Sequence, residues 1–279
     1  VDCIVPGYPD ITFRNAYEAD HGYTDRLMIV TEVYRLWAIE GDAQLAARIP
    51  FANLQNGIII APDIQKFKEL KLRLLNGTHT LSCGLAFLLG IPTVKEGMDS
   101  PDMSRFIRQT MLKEIVPAIP YPIPRQEALE FAEQVLDRFR NPGIAHFWIN
   151  ITLQYSSKIR QRCVPVLQHY VQEFGHLPEY MTIGFAAFLV FSRAVKKEDQ
   201  KYFGNWQGKE YPINDDQAGY YYSLWQQYSP AAVVHETLKN MELWGADLTA
   251  IPGFEQAVVK NVEDLLTAGP ARILEQASA

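Results

Sequence analysis

From Pro62 onward the chain carries apolar residues at helical spacing, with almost no strand-like alternation, and Pro or Gly breaks the pattern at short intervals. Such stripes can be buried only by packing helix against helix, which points to a mainly α architecture. Pro62 suits a first helical turn and Asp63 favours the positive end of the helix dipole. The run then passes through Leu70, Leu72, Leu74, Leu75 and Leu81 to Leu89 and closes at Gly90-Ile91-Pro92. Further helices are expected over residues 102–116, 125–140, 144–156, 164–174, 180–196, 215–227, 231–243 and 253–268. Ahead of Pro62 the pattern is different. The first 25 or so residues read as an extended connecting stretch. Two short β-type runs follow, at Leu27–Val30 and Gly57–Ile60, and good helix formers lie between them from Glu32 to Ala47. Residues 1–60 are therefore expected to be a connecting segment with two short strands, and 61–279 a helical domain.

Composition narrows the function classes. A net charge of −6 without a basic stripe argues against a nucleic-acid surface. Cys3, Cys83 and Cys163 are too few and too scattered for a disulfide framework or a C-x-x-C site, which suits a reducing, cytoplasmic setting. The apolar run Ile183–Phe191 is far short of the ~20 residues of a membrane span. The histidines lack the i, i+4 spacing of a helical metal site, so no metal is expected. His146, two residues before Trp148, reads as a core residue. No G-x-G-x-x-G turn follows a strand, so no dinucleotide loop is expected within the chain.

One stretch can carry chemistry: Lys71-Leu72-Arg73-Leu74-Leu75-Asn76-Gly77-Thr78-His79. On an α-helix advancing ~100° per residue, His79 lies about 80° and Asn76 about 140° around from Lys71, with Arg73 about 200° away. A lysine in an apolar setting can act as a base, an amide can donate to an oxygen gaining charge, and a neutral imidazole can do both. Gly77 would allow a ligand or a neighbouring backbone to come close. The spacing fits equally a solvated lysine with its stem over apolar neighbours, an Asn-Gly turn and a satisfied core histidine.

The same stretch resembles the signature of the C-terminal domain of the mannitol dehydrogenase family, long-chain polyol and sugar-acid dehydrogenases that need no metal. The likeness extends to Val1-Asp2-Cys3-Ile4-Val5-Pro6, similar to the junction after the family's Rossmann domain, and to Glu32-Val33-Tyr34-Arg35-Leu36-Trp37. It continues through Arg138-Phe139-Arg140-Asn141-Pro142 and Ser157-Lys158. The runs Pro6-Gly7-Tyr8-Pro9 and Leu243-Trp244-Gly245-Ala246-Asp247 resemble the sugar-acid branch. The resemblance implies a multi-helical fold like the C-terminal domain of 6-phosphogluconate dehydrogenase. It also implies Lys71 as general acid/base, with Asn76 and His79 beside the reacting oxygen. Lys158 would contact a sugar-acid substrate, its plain alternative being a surface lysine beside Ser156 and Ser157. Polyol-oxidising members carry Arg where this chain has Asn150, which points to a different substrate. Asp2 would lie on the cofactor side, although Cys3 replaces the Arg that follows it in the family. NAD would be bound mainly by an N-terminal Rossmann domain absent from this chain, and the chain is expected to be inactive without it. The alternatives are a mannitol/fructose-type polyol dehydrogenase, a non-catalytic helical assembly module, and a Schiff-base enzyme using Lys71 as nucleophile.

Overall fold

The computed structural model describes residues 1–3, 6–53, 57–143 and 145–277. Ile4 and Val5 of the junction, and Ile144 at the start of the helix expected over 144–156, lie outside them. The chain divides into two units, Val1–Lys68 with Asn141–Ile144, and Glu69–Arg140 with Ala145–Ala279.

In the first unit the expected helix over 32–47 is instead a strand, Leu36–Glu40, followed by a short helix, Ala43–Arg48. Leu36 and Ala38 are buried and Trp37 is exposed, which is the two-residue alternation of a half-buried strand. Asp42 starts the helix by accepting from the N–H groups of Gln44 and Leu45. The strand pairs in parallel with Ile58–Ala61 and antiparallel with Asp2–Cys3. The strand expected at Leu27–Val30 shrinks to Val30–Thr31, paired with Pro6–Gly7. The stretch expected to be extended contains a helix, Ile11–His21, because Asp10 caps the N–H groups of Thr12 and Phe13 and Gly22 ends it at φ 72°.

The second unit is mainly helical, as the periodicity predicts. Its centre is the helix Glu179–Phe191, buried at every residue from Met181 onward. Helices Thr78–Leu88 and Phe254–Thr267 pack against it. A Cβ on Gly184 would lie 2.8 Å from the Leu81 carbonyl oxygen, so this crossing requires glycine. The buried Glu114 accepts from the N–H groups of Tyr180 and Met181 at 2.8 and 2.7 Å, closing the N-terminus of the central helix. Burial pushes that carboxyl up to about 8, against the opposing pull of the two N–H groups. Cys83 and Cys163 are free, buried thiols, and burial pushes Cys83 up to about 12 and Cys163 further.

The central helix ends at Phe191, short of the expected Lys196. Strands Ala194–Glu198, Lys201–Trp206 and Lys209–Pro212 follow as an antiparallel meander, contrary to the expectation that strands lie only near the N-terminus. Both turns are two-residue loops with positive φ at each position, Asp199 and Gln200 (44° and 67°), then Gln207 and Gly208 (51° and 81°). The Tyr211 hydroxyl donates to the Phe191 carbonyl and Trp206 Nε1 to that of Leu88, fastening the sheet to the helices.

Candidate active site

Lys71, Asn76 and His79 share one unbroken helical run from Gln65 to Leu88, but its register is not α throughout. Leu70–Gly77 is π-helical. The angles expected from 100° per residue therefore do not apply. In an i→i+5 register residues five apart come nearly one above the other, so Asn76 moves towards the side that Lys71 occupies. Both are half-buried, and His79 in the following α turn is buried.

A second π-helical segment, Ile159–Cys163, packs against the first. Pro165 has no N–H to offer the Gln161 carbonyl four residues back. That carbonyl instead accepts from Arg73 Nη1, which also reaches the Arg162 carbonyl at 3.2 Å. Arg73 Nε pairs with Glu69 Oε2 at 2.8 Å, and both side chains are buried. Arg73 thus joins the two wide turns, in keeping with its place away from Lys71 and His79. A Cβ on Gly77 would lie 3.7 Å from the Arg162 carbonyl oxygen, an ordinary van der Waals contact, so the packing of the two turns does not itself demand glycine there.

His79 stacks on Phe139 with ring centroids 4.1 Å apart and meets His146 and Trp148 edge-on at 5.1 and 5.8 Å. Burial drives its pKa well down, and His146, Arg162, Arg138 and Lys158 push the same way. The imidazole is therefore neutral at pH 7. Among the described residues its Nε2 is buried without a hydrogen-bond partner, as is Trp148 Nε1. Buried polar atoms are normally paired, so this edge of the imidazole suits a ligand oxygen.

Lys158 ends the short helix Tyr155–Lys158, which Gln154 introduces at φ 52°. Its Nζ donates to the Ile151 carbonyl at 2.9 Å, and burial followed by repulsion from Arg162 lowers its pKa. Arg162 donates to Thr80 Oγ1 at 3.1 Å. The structure thus gathers His79 and Lys158 into one electrostatic neighbourhood and adds His146, Trp148 and Arg162 to it. His146 had read as a core residue. Arg162 stands four residues beyond Lys158, a spacing visible in the sequence. Asn150 is exposed on the short helix Trp148–Ile151. Asp2 is exposed on its strand in the first unit.

The helix between the two parallel strands does not present the free N-terminus of a dinucleotide-binding turn. The parallel pair Leu36–Glu40 and Ile58–Ala61 encloses helix Ala43–Arg48, whose first N–H groups are taken by the Asp42 carboxylate at 3.0 and 2.9 Å. A dinucleotide-binding turn would present glycines there and leave those groups to a pyrophosphate. Among the described residues no helix is long and apolar enough to cross a membrane.

The altronate oxidoreductase of Yersinia pestis bv. Antiqua (strain Nepal516) is 35% identical over 276 residues, 96% of this chain and 54% of that protein. The altronate oxidoreductase of Bacillus subtilis (strain 168) is 34% identical over 281 residues, 99% of this chain and 54% of that one. The chain thus spans about half the length of these relatives. Among solved structures, the Pseudomonas fluorescens mannitol 2-dehydrogenase ternary complex with NAD and D-mannitol superposes with a TM-score of 0.77 at 22% identity. That match covers 99% of this chain and 53% of the other, and it establishes the likeness of fold. The profile of the mannitol dehydrogenase C-terminal domain matches residues 63–266, and the chain belongs to that family.

Proposed function

We propose that this chain is the substrate-binding and catalytic part of an NAD-dependent oxidoreductase that interconverts D-altronate and D-tagaturonate. The observation that carries this reading is the buried, neutral His79 with an unmet ring nitrogen beside two cations. It is an arrangement suited to a polyhydroxy acid. The relatives' shared name, altronate oxidoreductase, supports the substrate pair. The hydride acceptor is NAD, held by a Rossmann domain outside this chain, with Asp2 on the side facing it. In oxidation the Lys71 amine takes the hydroxyl proton, and in reduction its ammonium returns a proton to the new alkoxide. Asn76 donates to that oxygen and His79 positions it through Nε2. Lys158 holds the substrate carboxylate, and Asn150 replaces the cation that polyol-oxidising members place there.

The test is NADH-dependent reduction of D-tagaturonate by the full-length enzyme. Lys71→Ala should lower kcat by about 10²- to 10⁴-fold while leaving the melting temperature unchanged. Full activity in that variant would reject the assignment. The likeness in fold to mannitol 2-dehydrogenase favours a second reading, a polyol dehydrogenase. Faster turnover of D-fructose than of D-tagaturonate would establish it in place of the first.

A further inference from the structure

Several cations of this protein pair with a carboxylate: Arg73 with Glu69, Arg108 with Glu133 and Arg140 with Asp137. Lys158 and Arg162 do not. Among the described residues neither forms an ion pair, although they stand four residues apart and both are partly buried. Like charges at that spacing repel on a helix, and partial burial strips away the water that would screen them. The carboxylate whose field reaches Lys158 is Asp215, and it is already engaged by the N–H groups of Ser156 and Gln217 at 2.7 and 2.8 Å. Arg160, between the two, turns elsewhere and donates to the Glu242 carbonyl.

Arg162 is also held in place. Its Nη1 donates to Thr80 Oγ1, and the Thr80 hydroxyl donates to the Asn76 carbonyl at 2.7 Å. This chain of bonds ties the guanidinium to the π turn that carries Lys71 and Asn76, next to His79. One donor is committed to Thr80, and the planar fork retains others for a second oxygen acid. A pair of positioned cations, beside a buried imidazole nitrogen with no partner among the described residues, lacks one component: an anion.

We infer that Arg162 is a specificity-determining residue that, with Lys158, binds the carboxylate of a sugar-acid substrate. This rests on the dehydrogenase reading for the substrate class, and on the charge geometry for the site. A fixed guanidinium recognises a carboxylate by two parallel N–H···O bonds, which a hydroxyl cannot match. Neutral polyols would then gain little from Arg162, and acids much.

Calorimetric titration of the full-length protein with D-altronate and with its uncharged counterpart D-altritol tests this directly. The wild type should bind the acid about ten- to a hundredfold more tightly than the polyol. Arg162→Gln should bring that ratio close to one while leaving altritol affinity within about twofold, and Arg162→Lys should restore part of the preference. A ratio unchanged in Arg162→Gln, or equal losses for both ligands, would overturn the inference, as would a wild type that does not prefer the acid. A preserved acid preference without hydride transfer would bring down the dehydrogenase reading and leave the subsite standing. Polyol oxidation without acid preference would do the reverse.

Discussion

Around His79 burial removes water from the ring, Phe139 covers one face, and His146, Arg162, Arg138 and Lys158 disfavour a further positive charge. The unfolded chain takes up that proton near 6.5 and the folded chain only well below it. Stability from keeping the ring neutral is therefore fully present above 6.5 and declines as pH falls through and below that value. His146, also shifted down by burial and by Lys158, acts in the same direction. The urea midpoint should drop between pH 7 and pH 5, and His79→Phe should remove part of that drop. An NMR titration that finds the folded His79 ring protonating near 6.5 would contradict this. At this scale the sequence is informative where the site is contiguous. Lys71, Asn76 and His79 lie within nine positions and can be read together. His146 and Arg162 come from distant segments, and nothing local to them distinguishes a site residue from a core ring or a surface cation.

The two wide turns, Leu70–Gly77 and Ile159–Cys163, depend on each other through Arg73. Arg73→Met would take the guanidinium away from the buried Glu69 carboxylate and from the Gln161 carbonyl. The cost should be about 3–5 kcal/mol, seen as a lowered melting temperature. A variant as stable as the wild type would show that the pair does not hold the turns together. Apolar periodicity locates such helices well, and their ends coincide with Pro and Gly. It does not reveal a π register, because widening one turn moves few apolar residues off the buried face. The meander over Ala194–Pro212 escapes notice for another reason. Its turns are Asp-Gln and Gln-Gly rather than the Asn-Gly or Asp-Gly that announce a hairpin, and its outer strands are rich in charge.

For the whole chain, the mainly helical class was legible because more than one stripe of apolar residues demands helix-on-helix burial. The first unit was less so, since its strands are too short for alternation to outweigh helix-forming composition between Glu32 and Ala47. The core of the second unit also holds two thiols, Cys83 bonded to the Thr80 carbonyl and Cys163 next to that of Gly77. A thiol held protonated in a dry core is not a nucleophile at neutral pH. In a Cys3→Ala background, an aromatic disulfide reagent should therefore modify no cysteine of the native protein within minutes, and two per chain in denaturant. Modification at the rate of free cysteine would refute this. Where it holds, the colour released by the reagent becomes a clock: every two equivalents record one molecule opening its interior, so spontaneous unfolding can be timed in plain buffer without dye, label or heat.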